Sequence, residues 1–166
     1  MMGASSHSLR WLGLSAIMLI VDQLTKIWVA GSFTLYQSRP VTSFFNLVYV
    51  HNYGAAFSFL SRQGGWQRWL FSLLAVAVSL FLIGLLKRMR RSQPFTAAGY
   101  ALIISGALGN VIDRFVHGYV IDFLDFYWDH YHWPAFNIAD SCICVGAALL
   151  IWDSLTQPSK SSGERS

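Results

Sequence analysis

Between Trp69 and Leu86 the chain runs for eighteen residues without a charged side chain, and it does so again from Phe95 to Ile112. At a helical rise of 1.5 Å per residue each run is about 27 Å long, close to the thickness of the hydrocarbon core of a bilayer. Two further apolar stretches carry isolated charges. Trp11 to Phe33 is interrupted by Asp22 and Lys26, and Ile138 to Leu155 holds Asp140 near its start and Asp153 near its end. The pattern predicts an all-α membrane protein: a four-helix transmembrane bundle with spans at about 11–33, 67–87, 95–114 and 138–155, the first and last being the polar ones. Nothing resembles a linker between two domains, so residues 1–156 are expected to form a single unit. The polar, low-complexity stretch 157–166 is expected to be a disordered tail.

The long connections, Thr34–Gln67 and Phe115–Asn137, have a different texture. Val41–Val50 is rich in Phe, Val and Tyr and suits a short strand. Gly54, Ala55 and Ala56 suggest a close backbone approach just after it. The second connection carries Phe126, Tyr127, Trp128, Tyr131, Trp133 and Phe136, a density of aromatic rings that suits a membrane–water boundary. A small β cradle and an interfacial loop are therefore expected, with Asp122 in a loop or at a helix end.

Composition agrees with a membrane setting. Of 166 residues, 54% are hydrophobic and only 12% are charged, against about 25% charged in an average soluble domain. The net charge of +4 would be compatible with nucleic-acid binding, but its distribution argues against it. Lys87, Arg88, Arg90 and Arg91 cluster between two apolar runs, as in a loop held in the cytoplasm by the positive-inside rule. Arg10 precedes the first span, and Lys160 and Arg165 follow the last. With Arg39, Arg62, Arg68 and Arg114 on the other side, the bias puts both termini and the tail in the cytoplasm. The β cradle is then extracytoplasmic. Arg10 ahead of an apolar run also resembles a cleavable export signal, and Val29, Ala30 and Gly31 are small enough to be cut. Asp22 and Lys26 do not suit the apolar core of such a signal, and the run is read as a retained helix.

Cys142 and Cys144 are two residues apart in an apolar helix and point to different faces. They read as packing residues rather than a disulfide or half of a zinc site. His51, His117, His130 and His132 lie in the connections, with no His-x-x-x-His on a helix. Ser58 and Ser141 have no evident base beside them. No metal and no cofactor are expected.

Ionisable groups inside a membrane are costly and usually face the bundle interior or a wet cavity. Asp22 and Lys26, four apart on one helix, share a face. They read either as a self-neutralising ion pair or as part of the chemistry. Asn110, Asp113 and Arg114 close the third span in the run Gly106-Ala-Leu-Gly109-Asn110-Val-Ile-Asp113-Arg114. Either these residues end a helix in water, or Asn110 and Arg114 offer donors to a peptide. Asn137 and Asp140 match an N-cap and the third helical residue after it. Asp122 on its own would pass for an exposed loop acid. Together, Asp122 and Asp140 would emerge at one membrane surface among apolar neighbours. Two carboxylates held close there share a proton, which makes one a base towards water and the other an acid. The dipole at the start of the last span favours charge on Asp140, and apolar neighbours favour the proton on Asp122.

Five blocks resemble those of the lipoprotein signal peptidases (signal peptidase II), in the family's order: Val21-Asp22-Gln23-Leu24-Thr25-Lys26, Asn52-Tyr-Gly54-Ala55-Ala56-Phe57-Ser58, Gly106 to Arg114, Val120-Ile-Asp122-Phe123 and Phe136-Asn137-Ile-Ala139-Asp140-Ser141. The resemblance implies a four-span bundle with an outer cradle in the bacterial inner membrane and an aspartyl endopeptidase active near its extracytoplasmic face. It also implies a substrate: a diacylglyceryl-modified prolipoprotein, cut on the amino side of the lipidated cysteine. Carried over residue by residue, Asp122 and Asp140 are the catalytic pair. Asn52, Gly54, Asn110, Arg114 and Asn137 line or support the substrate site, and Asp22 and Lys26 serve stability or substrate placement. Membrane lipid is the surrounding partner, and a monomer is expected to suffice. The rival readings are a small transporter, using Asp22, Lys26, Asp113 and Arg114 as an ion path, and a non-enzymatic membrane assembly factor.

Overall fold

The computed structural model describes residues 9–54, 65–89 and 93–156. Ala55, Ala56, Phe57, Ser58, Arg62, Arg90, Arg91, Lys160, Arg165 and the expected tail 157–166 lie outside the described residues. In chain order the elements are α1 (Trp11–Ser32), β1 (Ser38–Thr42), β2 (Phe45–Asn52), α2 (Gln67–Arg88), α3 (Pro94–Val116), β3 (Val120–Trp128), β4 (Tyr131–His132) and α4 (Ile138–Thr156). All four helices are long and apolar enough to cross a membrane, with mean hydropathies of 1.5, 2.5, 1.5 and 1.6.

The bundle turns large apolar residues outward and buries polar groups among its apolar core. Ile17, Leu24, Ile27, Leu73, Leu80, Phe81 and Ile151 are exposed, whereas Ser15, Asp22, Lys26, Ser79, Ser105, Asn110 and Asp113 are buried. Apolar faces turned outward suit lipid, and the polar groups turned inward must satisfy one another. Several do so between helices: the Ser15 hydroxyl donates to the Ala101 carbonyl at 2.8 Å, and Thr96 bonds Asp153.

Helix α3 is the centre of the bundle. Buried residues make up 56% of its span, against 22%, 22% and 17% in the other three. Proline stands at its start, where the missing N–H costs nothing. Two of its glycines set its distance from α4 and α1. A Cβ on Gly106 would collide with the Ala139 carbonyl oxygen, and one on Gly109 would lie 2.5 Å from Asp22 Oδ2 and 3.2 Å from the Ala139 Cβ. Close approach through small residues is the usual way helices pack in a membrane. Here it brings the start of α4 against the middle of α3.

The four strands form one antiparallel sheet in the order β1-β2-β3-β4. The single strand expected over Val41–Val50 is a hairpin. The Thr42 hydroxyl accepts the Phe44 N–H at 3.3 Å in the turn, and β1 pairs Ser38 with Val48 and Thr42 with Phe45. Pro40 is accommodated because β1 is an edge strand. The loop expected after the third span is also a strand. Val120–Trp128 pairs with β2 from Val120 to Phe126, with a register shift between Leu47 and Val50, placing Asp122 opposite Val50. Asp122 therefore lies on a strand, not in a loop or at a helix end. Its neighbours Ile121 and Phe123 pack into a cluster with Val29 of α1 and Phe33 just beyond the helix end. Alternation along the strand turns Asp122 to the opposite face, towards the start of α4.

Cys142 is buried and Cys144 is exposed, and both are free thiols, as their helical spacing predicts.

Candidate active site

The site is built where the start of α4, the C-terminal half of α3 and the β2–β3 pair meet. Asn137 immediately precedes α4, is fully buried, and accepts the backbone N–H of Asp140 on its side-chain oxygen at 2.9 Å. This is the N-cap geometry that the spacing predicts. The same residue's Nδ2 donates to Asp122 Oδ1 at 2.7 Å, to the Ile121 carbonyl at 3.2 Å and to Asn110 Oδ1 at 3.3 Å.

Each acid receives an amide donor. Asn52 Nδ2 donates to Asp122 Oδ2 at 2.9 Å, and Asn110 Nδ2 donates to Asp140 Oδ1 at 2.8 Å. Asp122 is 2% exposed, whereas Asp140 is only partly buried. Burial pushes the Asp122 carboxyl up to about 7, with the negative charge of Asp140 acting the same way. Hydrogen bonds from Asn52 and Asn137 and the charge of Lys26 oppose the rise. Burial and the Asp140 charge both favour the protonated form of Asp122 at pH below about 7, as for carboxylates sharing a dry pocket.

Gly54 joins the network through its backbone. Its N–H donates to Asn52 Oδ1 at 3.0 Å, and its carbonyl accepts Arg114 Nη2 at 3.0 Å. Arg114 Nη1 donates to the Asn110 carbonyl at 3.1 Å. Asn110 does not end a helix in water: it is buried and donates to Asp140. On the other side of Asn110, its Oδ1 accepts Lys26 Nζ at 3.2 Å.

Lys26 and Asp22 are not a self-contained pair. Lys26 Nζ lies 2.9 Å from Asp22 Oδ2 and 2.9 Å from Asp113 Oδ2. Gln23 Nε2 spans the two acids at 3.1 Å each. Asp22, Lys26, Asn52, Gly54, Asn110, Arg114, Asp122, Asn137 and Asp140 thus form one continuous hydrogen-bonded set. Asp113 and Gln23 belong to it as well, although the motifs pointed to neither as a site residue. Asp113 lies three residues after Asn110 on the same helical face, and that spacing is the signal that could have found it.

Among the described residues the histidines lie apart from this set. His51 stacks on Tyr119 with ring centroids 3.6 Å apart and contacts the Tyr49 hydroxyl at 3.0 Å, and His132 Nδ1 contacts Asp125 at 2.9 Å. Burial first, and the nearby His117 second, hold His51 below its ordinary range.

A family model described as signal peptidase (SPase) II matches residues 14–156. A lipoprotein signal peptidase of Alteromonas mediterranea is 58% identical over 156 residues, covering 94% of this chain and 86% of that one. One of Ralstonia nicotianae is 59% identical over 145 residues, covering 87% and 83%. Among solved structures, a bacterial membrane enzyme determined by the in meso method at 2.3 Å resolution superposes with a TM-score of 0.81 at 29% identity, covering 97% of this chain and 94% of that one. A second, at 1.9 Å resolution, gives 0.77 at 29% identity, covering 95% and 99%.

Proposed function

The chain belongs to the signal peptidase II family, and on that premise we propose that it is an aspartyl endopeptidase that removes signal peptides from diacylglyceryl-modified prolipoproteins. Asp122 and Asp140 are the catalytic residues in this reading, and the bond cut lies on the amino side of the lipidated cysteine. The observation that carries the reading is the bridge between the two acids. Asn137 holds the Asp122 carboxylate with its amide nitrogen and the Asp140 backbone with its amide oxygen.

The proton placement supports a division of labour. Asp140, the more open acid and the one at a helix start, takes a proton from water while the water oxygen bonds the scissile carbonyl carbon. Asp122, protonated, gives its proton to the carbonyl oxygen. The tetrahedral intermediate then collapses: the oxygen returns its proton to Asp122, Asp140 delivers its own to the departing amine, and the C–N bond breaks. Both acids end as they began. Asn52, Asn110, Gly54 and Arg114 keep the two carboxyls oriented beside the substrate path.

The membrane setting supports the substrate class. The two acyl chains of a diacylglyceryl cysteine stay in lipid, each buried CH₂ contributing about 0.8 kcal/mol. The peptide then reaches the acids by lateral diffusion. The chain is a multi-pass membrane protein. In this reading it sits in the bacterial inner membrane as a monomer, with Lys87 and Arg88 at the cytoplasmic end of α2 and the sheet on the extracytoplasmic side.

The test is purified protein in detergent with a diacylated prolipoprotein. The intact protein releases the signal peptide and Asp122→Asn does not. Equal turnover by both would refute the reading.

A further inference from the structure

Lys26, Asp22 and Asp113 are each at most 2% exposed, so this three-membered cluster holds two acids and one ammonium away from water. One carboxylate suffices to neutralise one ammonium. The second acid has a different use. Asp22 Oδ1 accepts the backbone N–H of Ala139 at 2.8 Å, and Ala139 immediately precedes Asp140. Asp113 Oδ2 accepts the backbone N–H of Ile121 at 3.0 Å, and Ile121 immediately precedes Asp122. Each carboxylate of the cluster therefore grips the peptide unit just ahead of one of the two acids.

Both N–H groups need such a partner. Ala139 is the second residue of α4, and the first N–H groups of a helix have no acceptor within it. Ile121 lies on the side of β3 beyond the reach of β4, which pairs only with Tyr127 and Trp128. In a dry interior each unmade bond would cost free energy, and a bond to a carboxylate is stronger and shorter than one to a neutral oxygen. Gln23 ties the two acids together and donates to the Gly109 carbonyl at 3.3 Å. Lys26 reaches Asn110 Oδ1, and Asn110 holds Asp140.

We propose that Lys26, Asp22 and Asp113 form a buried yoke of positioning residues that sets the separation and direction of Asp122 and Asp140 through the backbone at Ile121 and Ala139. The inference rests on the catalytic reading of that pair. The yoke touches no substrate. Its loss acts on the chemical step, since a displacement of about 1 Å at reacting groups can cost about 100-fold.

The experiment compares Asp113→Ala and Asp113→Asn in detergent on a diacylated prolipopeptide, with Asp122→Asn as control and rates expressed per folded enzyme. Asp113→Ala is expected to lower kcat about 100-fold or more while KM stays within about threefold. Asp113→Asn keeps an oxygen for the Ile121 N–H and is expected to restore kcat to within about tenfold of the parent. A merely structural residue would instead change the yield of folded protein and leave kcat per folded enzyme alone. The proposal is overturned if Asp113→Ala keeps kcat within about threefold, if its loss lies in KM, or if Asn does not rescue. Should Asp113→Ala fail to fold, amide exchange on Asp113→Asn decides. Protection of Ile121 N–H alongside retained kcat supports the yoke, and lost protection with unchanged kcat overturns it. Lys26→Met adds a second readout: without the ammonium opposing the Asp122 proton, the alkaline limb of kcat/KM moves to higher pH. An unmoved limb counts against Lys26. An active Asp122→Asn would sink the catalytic reading itself, a failure visible separately from any result at Asp113.

Discussion

The side-chain oxygen of Asn137 accepts the backbone N–H of Asp140 at 2.9 Å, so the residue that starts α4 also orients the acid one turn into it. Its nitrogen meanwhile reaches Asp122 at 2.7 Å. Asn137→Ser separates these two tasks. A serine caps a helix about as well as asparagine but is too short to hold the Asp122 carboxylate. We expect Asn137→Ser to melt within a few degrees of the parent in detergent and to lose at least about tenfold in kcat. Asn137→Ala should lose the same activity and, in addition, about 1 kcal/mol of stability. Parallel losses of stability and activity in the serine variant would contradict the bridging role.

A second prediction concerns the packing that brings α4 to α3. Gly109→Ala places a methyl group against Asp22 Oδ2 and the Ala139 side chain. Overpacking of this kind costs about 1–3 kcal/mol. The expected outcome is a lower melting temperature together with reduced turnover, because the displaced atoms hold the backbone beside Asp140. Gly84, which has open space around it, should accept alanine with no loss, and equal effects at the two positions would contradict the account.

Stability should depend on pH through Asp122. Its folded-state value near 7 lies above the ordinary 3.8, so between those values the folded protein binds a proton that the unfolded chain has released. Stability from this group is full below about pH 4, falls as pH rises and levels off above about pH 7, the whole difference corresponding to about 4 kcal/mol. Asp122→Asn removes the dependence. The check is the difference between parent and variant melting temperatures across that range, which should grow in the variant's favour towards pH 7. A constant difference would mean that Asp122 is charged in the folded state throughout.

Topology gives an independent prediction. Reporter fusions at Arg91 should read as cytoplasmic and fusions at His130 as extracytoplasmic. A cytoplasmic reading at His130 would put the sheet, and Asp122 with it, on the wrong side of the membrane for an exported substrate.

Helix positions were legible in the sequence because lipid imposes length and hydropathy on a span directly: the runs from Trp69 and Phe95 fall within α2 and α3, whose limits are Gln67–Arg88 and Pro94–Val116. The sheet was legible only in part. Val120–Trp128 carries apolar residues on both faces, with Asp122 and Asp125 three residues apart, because one side packs on Val29 and Phe33 and the other turns towards α4, so it shows no apolar–polar alternation to mark it as a strand. Thr42-Ser43-Phe44 carries neither glycine nor proline, and the hairpin turn there gave no local signal. For the site, spacing within one helix found the Asp22–Lys26 pair and the Asn137 cap. It could place Asp113 on the face of Asn110 but could not show that Asp113 reaches Lys26, because that contact joins residues of different helices. Nor could it show that Asn52 and Asn137, far apart in the chain, hold opposite oxygens of Asp122.

The most direct test of the central claim is turnover of a diacylated prolipoprotein by Asp122→Asn and Asp140→Asn, each folded and inserted, with and without a chelator. Asparagine keeps the shape of the side chain but cannot exchange the proton, so each variant should lose at least about four orders of magnitude in kcat. The intact protein should be indifferent to chelator, since both Asp122 oxygens already accept amide donors that a cation would have to displace. Measurable turnover by either variant, or loss of activity in chelator, would contradict an aspartyl mechanism at this pair.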